Sequence, residues 1–228
     1  MIITNALAIK ILIAMLSCYL IGSFQPSYLL GRLIYKKDIR DYGSGNAGAT
    51  NALRVFGKKF GLTCLLIDAG KGALAIMAVK FVFRDYMPEP SLAVGFQLFC
   101  GVICVLGHNH PFYMNFKGGK GVASTIGIIL AVDPRVFFYA GIPALLILFL
   151  GRIMSVASLS MQTFAFIYFA VTYHGTPFYP SLMLVAVAYP IISFWRHREN
   201  LKRLKNGEEK KLWGKGSGKK KEEEHNKE

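Results

Sequence analysis

The stretch Gly61-Leu62-Thr63-Cys64-Leu65-Leu66-Ile67-Asp68-Ala69-Gly70-Lys71-Gly72-Ala73-Leu74-Ala75-Ile76-Met77-Ala78-Val79-Lys80-Phe81-Val82 decides the class of the chain. At about 1.5 Å per helical residue it is long enough to cross a bilayer core roughly 30 Å thick. Only Asp68, Lys71 and Lys80 interrupt it, so no polar face runs along it as on a surface helix of a soluble protein. Ionisable groups are costly inside a membrane. Asp68 and Lys71, three residues apart near one end, therefore pair with each other or face a wet cavity, and Lys71 can alternatively snorkel.

Similar runs lie on both sides, near 4–28, 92–107, 120–132, 136–151, 154–173 and 178–195. With 61–82 they predict an all-α, polytopic integral membrane protein of about seven transmembrane helices. The fourth is the shortest, and a helix ending beside a polar cleft need not cross the whole slab. Of 228 residues 53% are hydrophobic and 18% charged, and the mean hydropathy is +0.38, which excludes a soluble globule and a disordered chain. Lys10 interrupts the first run and no small-residue cleavage pattern follows it, so it is read as a retained span rather than a signal peptide.

The net charge of +14 is unevenly placed. Residues 196–228 hold 12 of the 27 Lys and Arg, and the loops of the same parity (29–60, 108–120 and Arg152) raise that side to 22. The opposite loops carry only Arg84 and Arg135. The positive-inside rule then predicts an external N-terminus and a cytoplasmic C-terminus, and membrane rather than nucleic acid as the partner of the charge. Residues 1–211 read as one membrane-embedded domain and 212–228 as a charged, disordered tail suited to anionic headgroups. Cys18, Cys64, Cys100 and Cys104 all fall in apolar spans and read as small packing residues.

Three polar segments fall on the predicted cytoplasmic side. The first, Gly43-Ser44-Gly45-Asn46-Ala47-Gly48-Ala49-Thr50-Asn51-Ala52-Leu53-Arg54, brings backbone N–H groups and a helix start to an anion. Gly43, Gly45 and Gly48 match G-x-G-x-x-G, but a basic loop precedes them instead of a strand, so a dinucleotide site is excluded. The second runs from Gly107-His108-Asn109-His110-Pro111 to Phe116-Lys117-Gly118-Gly119-Lys120-Gly121-Val122-Ala123-Ser124. Lys117 and Lys120 flank two glycines before a helix, an arrangement suited to phosphate oxygens. It is not a P-loop, because Met114 stands at the early glycine position and Gly121 follows Lys120. His108 and His110 without a nearby Cys or carboxylate are a poor metal site and better suited to orienting a loop. In the third, His197 to Glu209, a helix would put His197, Asn200 and Arg203 on one face; a lipid-facing amphipathic helix is the alternative. Ser155 and Ser158 add hydroxyls at the start of the sixth span, or pack it.

Taken together and in this order, 43–51, 107–111 with 116–124, and 200–209 resemble the three motifs of the bacterial membrane acyl-phosphate:glycerol-3-phosphate acyltransferases, across the chain to about residue 211. Ala47 replaces the usual Pro, His110 the usual Phe and Ser124 the common Thr. The resemblance implies transfer of a fatty acyl group from acyl phosphate to the sn-1 hydroxyl of glycerol 3-phosphate, giving lysophosphatidic acid and phosphate as the first step of phospholipid synthesis. It implies a multi-pass protein of the bacterial inner membrane with a cytoplasmic site, no cofactor or metal, and an acyl-phosphate-forming enzyme upstream.

On this reading Ser44, Lys120, His197 and Asn200 are the catalytic groups. Gly43, Gly45, Asn46, Gly48 and Thr50 cradle the acyl phosphate. Arg54, Lys120, His197, Asn200 and Arg203 hold glycerol 3-phosphate, with further substrate contacts from Asn51, His108, Lys117, Gly118, Gly119, Ser155, Ser158 and Glu209. The general base is open between His108, His197 and a substrate phosphate oxygen. An acyl phosphate is already activated, so positioning and electrostatics supply most of the rate. A transporter of a small phosphorylated solute would also want a cationic cleft, but would need polar groups at mid-membrane as well. A lipid-binding scaffold would not need the glycine-rich segments.

Overall fold

The computed structural model describes residues 5–213, and among them helices are joined by short turns without a strand. The expectation for the tail falls almost wholly on residues 214–228, outside the described residues. Leu212 itself is held, its N–H bonding Arg152 O at 2.7 Å.

The first apolar run is not one helix. α1 (Asn5–Ser23) stops where Pro26 begins α2 (Pro26–Tyr35), with Gln25 extended between them. Proline forbids the continuing hydrogen bond and pushes its predecessor out of the helical region. α3 (Ala49–Phe56) and α4 (Lys58–Phe83) meet at Gly57, whose φ of +94° turns the chain. α5 (Pro90–Asn109) starts on Pro90, with the Glu89 carboxylate capping Leu92 N–H at 2.7 Å. α6 (Val122–Val132) is short, as its sequence predicts. A π-turn, Phe137–Gly141, leads into α7 (Ile142–Gly151), because Pro143 withholds the N–H that would close the regular ladder. After α8 (Met154–Thr172), the last run is again broken: α9 (Tyr179–Ala186) and α10 (Ala188–Arg196) are separated at Val187, since Pro190 cannot bond Ala186 O. α11 (Arg198–Lys205) follows His197.

Four segments are long and apolar enough to cross a membrane: α1, α4, α5 with the turn that extends it to Met114, and α8. Val122–Val132 and Phe137–Gly151 are shorter apolar helices. Leu62, Leu66, Leu74, Met77 and Phe81 of α4, and Leu12, Ile13, Leu16 and Leu20 of α1, point outward exposed, as lipid-facing positions do. The fold is that of a polytopic helical membrane protein.

α4 packs on α6 and α5, and α5 on α1 and α9. Glycines set the closest approaches. A methyl group on Gly72 of α4 would run into Ser124 O of α6, and one on Gly127 of α6 into Ala69 O of α4. Gly22 and Gly107 make the same reciprocal contact between α1 and α5, against Cys104 O and Tyr19 O. Without a hydrophobic drive between helices in lipid, such small-residue contacts let backbones pack. The four cysteines are free and buried, as expected of packing residues. Ile76, Leu98 and Ile128, one each from α4, α5 and α6, are fully buried at the centre.

Candidate active site

All three polar segments meet at one end of the bundle, around a cavity of about 130 Å³. The glycine-rich loop reaches it through backbone shape. Gly43 and Gly45 have φ of +65° and +70°, and Asn51, only 2% exposed, latches the loop from inside. Its Oδ1 accepts Ser44 N–H at 2.8 Å, and its Nδ2 donates to Ile39 O at 3.1 Å and Tyr42 O at 3.0 Å. The latch leads directly into α3, whose start, Gly48 to Thr50, lines the cavity together with Ser44, Asn46 and Arg54.

The second segment is tied to the first. Arg40, bound to Asp38, donates to Met114 O at 3.1 Å, and its guanidinium holds the Asp38 carboxyl down at about 2. The glycine pair that follows is clamped from two sides. Gly118 N–H bonds Asn109 O and Gly119 N–H bonds His108 O, each at 3.1 Å, while Arg196 donates to Gly118 O at 3.2 Å and Gly119 O at 2.6 Å. This clamp delivers Lys120 to the cavity. Gly121, at φ +80°, then opens α6.

The third segment supplies the opposite wall. His197 sits in the break between α10 and α11, 3% exposed, its Nδ1 2.8 Å from Ser193 O. That contact places the proton on Nδ1 and leaves the Nε2 lone pair free. Burial, with Lys120 nearby, pushes the imidazole down to about 4, so it is neutral near pH 7. Asn200 Oδ1 accepts from Lys120 Nζ, and Asn200 Nδ2 donates to Glu209 Oε1 at 2.6 Å. Glu209 also accepts from Ser155 Oγ at 2.9 Å and Arg203 Nε at 2.9 Å. Burial raises the Glu209 carboxyl, but the bonds from Asn200, Ser155 and Arg203 outweigh it and hold it below its ordinary value.

Two features make this end an anion site. The N-termini of α3, α6 and α8 all line the cavity, and none has a side-chain cap, so three sets of first-turn N–H groups and three positive dipole ends converge there. Charge adds to this. Arg203 matches Glu209, and Lys71 matches Asp68, which leaves Arg54 and Lys120 in excess. Arg54 makes no hydrogen bond or ion pair among the described residues. Burial first, then the cations Arg203, Arg196 and Arg54, push Lys120 down to about 8 against the opposing pull of Glu209.

Most predicted site residues line this space: Ser44, Asn46, Gly48, Thr50, Asn51, Arg54, His108, Lys120, Ser155, Ser158, His197, Asn200 and Glu209. Six do not. Gly43 and Gly45 shape the loop, Gly118 and Gly119 form the clamped turn, and Arg203 stands behind Glu209. Lys117 is exposed and does not line the cavity. Asn51 and Glu209 spend their polar atoms on protein partners. Sequence reasoning missed Arg196, whose only signal was its place beside His197, and the apolar lining from Leu65, Ile126 and Met154.

The glycerol-3-phosphate acyltransferase family profile matches residues 12–207. The chain belongs to the glycerol-3-phosphate acyltransferase family. A glycerol-3-phosphate acyltransferase of Enterococcus faecalis is 39% identical over 208 residues, covering 89% of this chain and 92% of that protein. One from Finegoldia magna is 41% identical over 196 residues, covering 86% and 92%. The crystal structure of PlsY (YgiH), described as an integral membrane glycerol 3-phosphate acyltransferase in its glycerol 3-phosphate form, superposes with a TM-score of 0.78 at 31% identity, over 90% of this chain and 96% of that one. Its lysophosphatidic acid form gives 0.74 at 32% identity, over 89% and 95%. The resemblance carried by the three motifs is thus membership of the glycerol-3-phosphate acyltransferase family, in an integral membrane fold.

Proposed function

We propose that this acyltransferase moves a fatty acyl group from acyl phosphate to the sn-1 hydroxyl of glycerol 3-phosphate, releasing lysophosphatidic acid and inorganic phosphate. The single observation that carries the reading is that Arg54 and Lys120, neither in an ion pair among the described residues, line one cavity together with three uncapped helix N-termini and the apolar residues Leu65, Val122, Ile126 and Met154. That combination suits phosphate dianions with an acyl chain attached. The two ligand forms named for PlsY support both ends of the reaction.

Arg54 and Lys120 hold the phosphate of glycerol 3-phosphate, with Asn200 and Ser155 kept in register by Glu209. Ser44 and the first-turn N–H groups of α3 receive the acyl phosphate and stabilise the oxyanion. The glycerol oxygen bonds to the acyl carbon, the bond from that carbon to the phosphate oxygen breaks, and the hydroxyl proton leaves on the phosphate. An imidazole at about 4 is a weaker base than a phosphate monoester, whose second pKa is about 6, so His197 accepts the hydroxyl's hydrogen bond and orients it while the substrate takes the proton. His108 has no such role, its Nδ1 lying 2.9 Å from Lys71 Nζ and its ring packed against Gly119.

The charge distribution supports seven crossings, an external N-terminus and a site on the cytoplasmic face of the bacterial inner membrane, within one domain of residues 1–211. The acyl-phosphate-forming enzyme is the natural upstream partner. The fully buried apolar layer of Ile76, Leu98 and Ile128 speaks against a through path for a phosphorylated solute. Phosphate release by the purified protein from palmitoyl phosphate, requiring glycerol 3-phosphate and lost in Lys120→Ala, is the expected result. Turnover with acyl-CoA but none with acyl phosphate would overturn the donor.

A further inference from the structure

Asp68, Lys71 and His108 are 1%, 7% and 2% exposed within apolar helices, a costly arrangement that the proposed chemistry does not use. Lys71 Nζ lies 2.7 Å from Asp68 Oδ1, 2.9 Å from His108 Nδ1 and 2.5 Å from Phe24 O at the break between α1 and α2. Asp68 Oδ1 is 3.3 Å from His108 Nδ1. The imidazole is thereby gripped on one nitrogen. Its other nitrogen faces Gly119, where even a methyl group would run into Nε2, and a methyl group on Gly118 would run into His108 O. His108 O also accepts Gly119 N–H at 3.1 Å and Gln25 Nε2 at 2.7 Å.

We infer that Asp68, Lys71 and His108 are positioning residues: a buried charged floor under the Gly118-Gly119 turn that sets where Lys120 stands in the cavity. Arg196 closes the same turn from the opposite side. The consequence for turnover rests on the proposed role of Lys120 as a phosphate ligand. Stability alone is a poor reason for the triad, because replacing a buried ion pair by apolar groups of similar volume is often neutral or stabilising, whereas leaving one partner alone is costly. Asp68→Asn with Lys71→Met removes both charges together and keeps the volumes close.

The test compares the wild-type protein in detergent with that double variant, following Tm, hydrogen exchange of the amides of Gly118 and Gly119, and kcat and KM for glycerol 3-phosphate. The expected result is an unchanged Tm, faster exchange at the two glycines, and KM raised about tenfold with kcat within about threefold. Added to Lys120→Ala, the double change should have no further effect on KM, since both act through the same ammonium group. His108→Asn keeps the Asp68–Lys71 pair and removes only the ring under Gly119, and it supplies the same readouts where the double variant does not fold. Unchanged exchange and KM, effects that add to those of Lys120→Ala, or failure of both variants to fold would each overturn the proposal. A wild-type protein without turnover would sink the acyl-transfer reading, while the exchange measurement would still decide the positioning.

Discussion

The two ends of α6 each carry a polar cluster, and they are built on opposite principles. At its C-terminal end, Asp133 accepts Arg135 N–H and Nε at 3.0 Å each on one oxygen, and Arg135 Nη2 at 2.8 Å and Tyr168 Oη at 2.7 Å on the other. Its acceptors are taken and its charge is matched. At the N-terminal end, Lys120 is held by the Asn200 amide, and among the described residues neither it nor Arg54 makes an ion pair. The first cluster is a staple joining α6, the π-turn and α8. The second retains charge and space, which a ligand must supply or fill. Polarity in a membrane helix therefore marks a site only when the accounts of hydrogen bonds and charge fail to close within the protein.

The largest effect should come from opening that account further. Lys120→Ala is expected to lower kcat/KM by about 10²- to 10³-fold with Tm within a few degrees, measured by phosphate release. Retained turnover would remove the distinction between the two ends.

The pH dependence sharpens it. With Lys120 at about 8 instead of its ordinary 10.5, the cation needed for phosphate is lost as pH rises, so kcat/KM should fall with a midpoint near pH 8. In Lys120→Arg the limb should vanish, since a guanidinium stays charged above pH 12. The stability contribution runs the other way: between pH 8 and 10.5 the unfolded chain binds the proton that the folded one has released, so Lys120's penalty on folding fades across that interval.

Glu209→Gln, which strips the charge matching Arg203 while keeping one acceptor for Asn200 or Ser155, should cost about tenfold in kcat/KM. At the other end, Tyr168→Phe should lower stability by about 1–2 kcal/mol, read as a fall in Tm, and leave kcat/KM within about twofold. A large loss of activity there would show the staple to be part of the site. Smallest of all, Lys117→Ala should change kcat/KM by less than about twofold, because the residue is exposed and does not line the cavity.

Much of this was legible beforehand. Unbroken apolar runs with few charges have one stable outcome in lipid, a helix whose backbone satisfies itself, so the helical membrane class follows from residue types alone. The breaks at Pro26 and Pro190 were equally written in the chain, yet apolar composition hid them, because hydropathy counts side chains and proline acts through the missing N–H. The three polar segments could be matched to phosphate chemistry because glycine, lysine and a following helix start are local features.

What the chain by itself determined was its solvent, its helices and the residue types offered to an anion. Tertiary structure decided which of them face one another. Lys120 lines the cavity while Lys117 stays exposed outside it, and the turn between them is held by Arg196 and His108, 76 and 12 residues from Lys120. Asn51 and Glu209 became organisers and not free ligands once partners from distant segments occupied their oxygens. Hydrogen-bond saturation and charge balance are sums over neighbours in space, and spacing along the chain does not contain them.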